Sequence, residues 1–357
     1  KGIIYFYFVL LAVLLYTRFF GRYVNGARSW IGIGEFGIQP SEFGKIIYTV
    51  MLAKYLSSSE NEHPFKRFVI STIIFVCPVL LILLQPDLGT ATVYFPIYFV
   101  MCFLAGVKLK YLGYVLGTGT LTILFTVLPV WNEYILSKPI LAINALSNQN
   151  IKVIITIATL TITFMGFVFR RYFHGPKYFF WISYAFSMIS VALIFSSFTG
   201  KVLKEYQIQR LIVFLDPSID PRGYGWNIIQ SKIAIGSGGI FGRSFLNGTQ
   251  SHYRFLPEQS TDFIFSIYTE EMGFLGGLIV FILYFIIMTR ILIIIKNTSN
   301  KFGTYIVGGI LAIFMIHFFI NTGMVMGIMP ITGIPLLFMS YGGSSLLMAM
   351  SAIGLIM

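Results

Sequence analysis

Ten apolar segments recur along this chain, near 3–19, 39–55, 68–84, 88–107, 111–131, 153–170, 178–199, 264–289, 303–327 and 336–357. Crossing about 30 Å of hydrocarbon takes roughly 20 such residues. Lipid offers no partner for open backbone N–H and C=O groups, so each segment is expected to be a helix. The fold class that follows is an all-α integral membrane protein. It is a polytopic bundle of about ten transmembrane helices with a long, ordered extracytoplasmic loop. Charged residues make up only 11% of the chain, against roughly 25% in soluble domains. A string of soluble domains is thereby excluded, and 1–357 reads as one polytopic membrane domain.

The net charge of +12 invites a nucleic-acid partner, but its distribution argues against one. Lysines and arginines cluster at the ends of apolar runs, as they do in loops that stay inside the cell. Counting alternate loops separates two faces. One carries Lys54, Lys66, Arg67, Lys108, Lys110, Arg170, Arg171, Lys177, Arg290, Lys296 and Lys301; the other carries only Arg22, Arg28, Lys138 and Lys152. The first face is expected to be cytoplasmic. Ser29–Ser41, Gln85-Pro86-Asp87 and the long segment 200–261 then face outward. Cys77 and Cys102 fall inside apolar segments and read as small core residues. Both ends read as trimmed, since Lys1 is followed at once by an apolar run and Met357 lies inside another.

Segment 200–261 holds enough apolar residues, Trp226, Ile228, Ile233 and Phe245 among them, to pack down as an ordered cap. It also concentrates polar groups that the spans exclude: Arg210, Asp216, Asp220, Arg222, Gln230, Lys232, Arg243, Arg254, Glu258 and Asp262. Arg and Lys can hold a pyrophosphate, and a carboxylate can take a proton from a hydroxyl. A solvated loop with surface ion pairs is the plainer reading for Asp216, Asp220, Arg222 and Arg243. Asp262 stands apart, because Ser260-Thr261-Asp262 immediately precedes an apolar helix. There it either caps the helix or presents a carboxylate at the water–membrane boundary. Glu42 and Lys45 lie three apart on a membrane helix, hence on one face, and are expected to pair toward the bundle interior. Glu270 and Glu271 point away from Asp262 around the helix and are no obvious partners for it. His63, His174, His252 and His317 show no metal-ligand spacing, and no phosphate loop or nucleophile elbow is present.

Several stretches together resemble the SEDS (shape, elongation, division and sporulation) family, in its RodA-like branch. They are Gly26-Ala-Arg-Ser-Trp30, Gln39-Pro-Ser-Glu42-Phe-Gly-Lys45, Gln85-Pro-Asp87-Leu-Gly-Thr90, Arg210 with Phe214-Leu-Asp-Pro217, and Gln230-Ser-Lys232-Ile-Ala-Ile-Gly-Ser-Gly-Gly239. Further on come Gly248-Thr-Gln-Ser251, Phe255-Leu-Pro-Glu258, Thr261-Asp-Phe-Ile-Phe265, Gly323-Met-Val-Met-Gly327, Thr332-Gly-Ile-Pro335 and Ser340-Tyr-Gly-Gly-Ser-Ser345. They keep the family's order over nearly the whole chain. The resemblance implies an inverting peptidoglycan glycosyltransferase at the outer face of the bacterial cytoplasmic membrane. Such an enzyme transfers a growing undecaprenyl-pyrophosphate-linked glycan onto lipid II during cell elongation. It works beside a class B penicillin-binding protein.

On this resemblance Asp262 is the catalytic residue. Arg210, Lys232, Gln230, Glu258, Thr261, Glu42, Lys45 and Asp87 are the substrate-binding candidates. A divalent cation at the pyrophosphate is conceivable, but no dedicated cage is visible and no metal ligand is assigned. Ser260 stands where many members have His, and Leu337 where many have Pro. Segment 111–199 holds two helices more than the family pattern. The rival reading from another class is a transporter that flips lipid II, using the Glu42–Lys45 pair as its moving site. A third is a non-catalytic scaffold in which Asp262 is only a cap.

Overall fold

The computed structural model describes every residue except 1, 25, 34–35, 135–139, 174–175, 203–204, 224 and 254. Arg254, Lys138 and His174, named above, lie outside the described residues. The helices are α1 Gly2–Phe20, α2 Pro40–Ser58, α3 Pro64–Leu84, α4 Leu88–Leu104, α5 Leu109–Tyr134, α6 Leu141–Ser147, α7 Gln149–Tyr172 and α8 Tyr178–Val202. They continue with α9 Glu205–Leu215, α10 Trp226–Ser237, α11 Thr249–His252, α12 Ile264–Asn297, α13 Lys301–Val325 and α14 Gly343–Ile356. Each of the ten apolar segments holds a helix, and the chain is an all-helical, multi-pass membrane protein. Among the described residues seven helices are long and apolar enough to cross a membrane, while α4 and α14 are shorter apolar ones. Helix α2 carries Glu42, Lys45 and Lys54 and stands outside both sets.

Two local features differ from expectation. The stretch before α2 is not plain loop: β1 Arg22–Val24, β2 Ala27–Ile33 and β3 Phe36–Ile38 form an antiparallel ribbon in the order β1-β2-β3. Its register pairs Arg22 with Trp30 and Ile31 with Ile38. Gly37 makes room for the Trp30 ring, which a Cβ there would meet at 2.9 Å. The last apolar segment becomes helical only at Gly343, because the backbone of 336–341 is satisfied by a turn instead. The Leu336 amide donates to Ser340 Oγ at 2.8 Å, and the Tyr341 amide reaches across to the Ser260 carbonyl at 2.7 Å.

The chain divides into two compact units, Lys1–Lys108 with Trp226–Met357, and Leu109–Gly225. In the first unit α13 is the central helix, packed on α2, α4 and α12. Small residues let the backbones close up: Gly308 lies against Leu104, and Gly309 against Thr49 and Met101. Buried Tyr48, Tyr94, Tyr98, Ile313 and Phe314 fill the centre. In the second unit α8 packs on α5 and α7, with Ser190 Oγ donating to Thr159 Oγ1 at 2.8 Å. Of the helices within 200–261, α9 belongs to the second unit and α10 and α11 to the first.

Contacts within the first unit gather its connections into two ends. At one end the Gln39 amide donates to Ser344 Oγ, and Gly89 packs against the Thr332 carbonyl. The starts of α2, α4, α12 and α14 and the end of α13 therefore share that end. At the other, buried Arg67 donates to the Leu56 and Ala105 carbonyls at 2.7 Å each, tying the last turns of α2 and α4. Lys66–Glu62 and Lys301–Glu60 pairs lie at this same end. Within this unit, the connections that alternate spans place together thus meet in space.

Candidate active site

Asp262 is half-buried, one residue outside α12, whose N-cap position is Phe263 with no side-chain cap bond. A left-handed turn at Glu258 (φ 51°) brings the chain up to it. The Glu258 carbonyl accepts from the amides of Thr261 and Asp262, and the Thr261 hydroxyl lies 3.2 Å from Glu258 Oε2. Three consecutive carbonyls are then held by groups from the end of α13 and from the loop before α14. Ser260 O accepts from the Tyr341 amide at 2.7 Å, Thr261 O from Ser340 Oγ at 2.6 Å, and Asp262 O from Asn321 Nδ2 at 2.9 Å. The Asp262 carboxylate faces Gly333 (φ +72°), where a Cβ would stand 3.4 Å from Oδ2. A carboxylate is thus fixed by its backbone on a platform built from 258–262 and 332–341.

Glu42 and Lys45 are both buried and pair at 2.5 Å, as their spacing predicts. Lys45 Nζ also lies 3.1 Å from His317 Nε2, and His317 Nδ1 lies 2.9 Å from the Pro335 carbonyl. That carbonyl can only accept, so Nδ1 carries the proton and Nε2 accepts from the ammonium. The ion pair is therefore linked through His317 to the loop that flanks Asp262. His317 and Asn321, one turn apart on α13, grip the adjacent carbonyls of Pro335 and Ile334, the latter at 2.8 Å.

Asp87 caps α4: its carboxylate accepts from the Thr90 amide at 3.0 Å and from Gln39 Nε2 at 2.8 Å. It reaches the platform only through neighbours, since Gly89 abuts Thr332. Gln230 and Lys232 lie on α10, seated by Ser231, whose hydroxyl meets Ser266 Oγ at 2.6 Å and the Val325 carbonyl at 2.7 Å. Gln230 is buried and Lys232 exposed, and Ser231 between them ties α10 to Ser266 in the first turn of α12. The Lys232 stem and ammonium lie over Gly327 at the end of α13, where helix carbonyls favour a cation. Arg210 is half-buried on α9 in the second unit.

Other loop acids take structural roles. The Ser218 hydroxyl and amide donate to Asp216, holding its carboxyl below the usual carboxylate range, and the Gly223 amide donates to Asp220. Glu270 is buried, with Oε1 accepting from Gln250 N and Thr249 Oγ1 at the start of α11. Among the described residues no three His, Cys, Asp or Glu side chains gather to hold a metal ion. A cavity of about 730 Å³ opens between α1, the ribbon, α2 and α14, walled by Phe6, Leu10, Ile31, Phe43 and Leu347. Ser344 and Pro40 carry its wall toward the Gln39–Asp87 cluster.

His317, Asn321 and Ser340 were not anticipated. The legible signal was a His and an Asn four apart in an otherwise apolar span, which puts two costly polar groups on one face. Asn321→Leu should strand the Asp262 and Ile334 carbonyls, at about 1–3 kcal/mol for each group that stays buried and unpaired. Polymer or transport activity should fall and the midpoint of thermal unfolding should drop together. An unchanged midpoint would mean that Asn321 does not hold the platform.

The family model described as cell cycle protein of the FtsW, RodA and SpoVE type matches residues 1–150 and 136–357. Over 353 residues the chain is 52% identical to the peptidoglycan glycosyltransferase RodA of Treponema pallidum (strain Nichols), spanning 98% of this chain and 80% of that one. It is 31% identical to the peptidoglycan glycosyltransferase MrdB of Escherichia coli (strain K12), across 99% and 76% of the two chains. A solved chain from a study of "Structural coordination of polymerization and crosslinking by a peptidoglycan synthase complex" superposes with a TM-score of 0.64 at 25% identity, covering 99% of this chain and 79% of that one. Thermus thermophilus RodA shares the fold, with a TM-score of 0.54 at 21% identity across 98% and 74%.

Proposed function

The chain belongs to the FtsW, RodA and SpoVE family of cell cycle proteins, and on that premise we propose how it acts as a peptidoglycan glycosyltransferase. It polymerises glycan strands at the outer face of the bacterial cytoplasmic membrane. The observation that carries the mechanism is the placement of this carboxylate: the main chain of 260–262 is held by Tyr341, Ser340 and Asn321, and the Asp262 carboxylate faces Gly333. The acceptor sugar hydroxyl of lipid II gives its proton to Asp262 as its oxygen bonds the donor's anomeric carbon. The bond from that carbon to the undecaprenyl pyrophosphate breaks, and the pyrophosphate leaves with the electron pair. Attack opposite the leaving group inverts the centre, so an α-linked donor becomes a β-linked strand.

Lys232, in the same unit as Asp262, supplies charge for the pyrophosphate. Gln230, Glu258 and Thr261 offer hydrogen bonds to the sugars. Glu42, Lys45 and Asp87 act behind the platform, through His317 and Thr332. The apolar cavity beside α1 and α14 suits a polyprenyl tail. A divalent cation at the pyrophosphate would add to the positive charge of Lys232. The partner is a class B penicillin-binding protein that crosslinks the strands, the chemistry coordinated with polymerisation in the related synthase complex.

The test uses the full-length protein with its transpeptidase in nanodiscs supplied with lipid II. A ladder of glycan chains is the expected product. Movement of labelled lipid II across proteoliposomes with no ladder would replace this reading with the transporter.

A further inference from the structure

Helix α12 breaks at Gly273, whose backbone (φ 68°, ψ −165°) leaves the helical region. A break of this kind frees amides just downstream. Here a turn from the preceding loop takes them: Phe274 N donates to Gly239 O at 2.9 Å and Leu275 N to Ile240 O at 3.2 Å. Gly242 and Gly273, both at positive φ, lie backbone to backbone, so a Cβ on either would sit within 2.3 Å of the other strand. The Arg243 amide closes the turn on the Glu270 carbonyl at 3.0 Å. Gly238, against the Thr269 carbonyl, and Gly242, against the Glu271 carbonyl, therefore serve close packing. The turn is bolted to the helix.

What the bolted turn presents is apolar. Ile240, Phe241, Phe245 and Leu246 are 61%, 80%, 67% and 67% exposed, and Arg243 is the only charge from Ile233 to Gly248. Water-exposed clusters of this kind mark contact surfaces. The occupant follows from what the turn adjoins. Glu270 and Glu271 precede the break, whereas 274–289 carries no charge at all. The first turns past the break, Phe274, Leu275, Leu278 and Ile279, are exposed apolar residues of a membrane-spanning helix, hence a lipid-facing surface. Ile240 is hydrogen-bonded to that surface's first turn, so the two apolar faces are continuous.

We propose that Ile240–Leu246 is a lipid foot, seated at the hydrocarbon boundary of the leaflet on the Asp262 side. Its four large side chains enter the acyl region, and Arg243 stays among phosphate headgroups, as in interfacial anchors. The foot fixes the height of the site. Asp262 lies eleven residues before Gly273, roughly 15 Å of helical rise above the boundary, where the sugar of a membrane-tethered pyrophosphate stands.

The test places a nitroxide at Phe241→Cys or, separately, Phe245→Cys, in a Cys77→Ala, Cys102→Ala background of the full-length protein in phospholipid nanodiscs. Collisions with oxygen, which concentrates in lipid, are compared with those of a water-soluble nickel chelate, with Ser218→Cys as the exposed reference. The proposal expects oxygen to dominate at both foot positions and nickel at 218. Nickel dominating at 241 and 245 would place the turn in water and overturn the foot. Exclusion of both reagents would mean a protein surface covers it, which also overturns the proposal.

Discussion

Asp262→Asn should leave the protein folded and bound to its transpeptidase while cutting lipid II polymerisation by about a hundred- to ten-thousandfold, the usual worth of a general base. The separation of fold from chemistry follows from how the residue is held. Tyr341, Ser340 and Asn321 grip the carbonyls of 260, 261 and 262, and none of those bonds uses the carboxylate. Asparagine has the same shape, keeps those backbone bonds, and cannot accept the proton. A glycan ladder comparing native and substituted complexes reads the loss, and thermal unfolding checks the fold. Polymerisation within a few-fold of native would remove Asp262 from the mechanism. Loss of rate accompanied by loss of the folded state would instead make the carboxylate part of the platform itself.

The bundle was legible because lipid enforces one rule, that apolar runs become helices, and each run holds one. Within the first unit Gln39, Asp87–Gly89, Ser260–Asp262 and Thr332–Ser344 meet at one end, as alternating spans require. Short-range pattern carried the Glu42–Lys45 pair for the same reason, three residues on one helix face. What could not be read was anything fixed by the meeting of distant segments. The ribbon before α2 depends on Trp30 finding Gly37, and the late start of α14 on Tyr341 finding Ser260. His317 was set aside for want of metal spacing, yet its partners are a lysine 272 residues earlier and a carbonyl beyond its own helix. Asp87 is a substrate-binding candidate by its motif, and its own bonds also make it the cap of α4, a role that needs Thr90 and the distant Gln39 in place.

The buried pair should be the most damaging place to remove one charge. Lys45→Met strands Glu42 at 4% exposure, and Glu42 Oε2 already has no hydrogen-bond partner. Losing one member of a buried pair costs about 3–5 kcal/mol, because the survivor stays uncompensated in low dielectric. His317 would lose its donor as well, loosening the grip on Pro335 and so the loop beside Asp262. Removing both charges, as in Glu42→Gln with Lys45→Met, should cost much less, since no bare charge remains. Lys45→Arg should not rescue, because a planar fork needs more room than a fully buried ammonium leaves. Thermal unfolding of the three variants, with polymerisation measured on those that fold, separates two roles. If the double variant regains stability but not polymerisation, the pair serves the site through His317. Recovery of both makes it a strut. A single Lys45→Met as stable as the native protein would contradict the buried pairing on which either role depends.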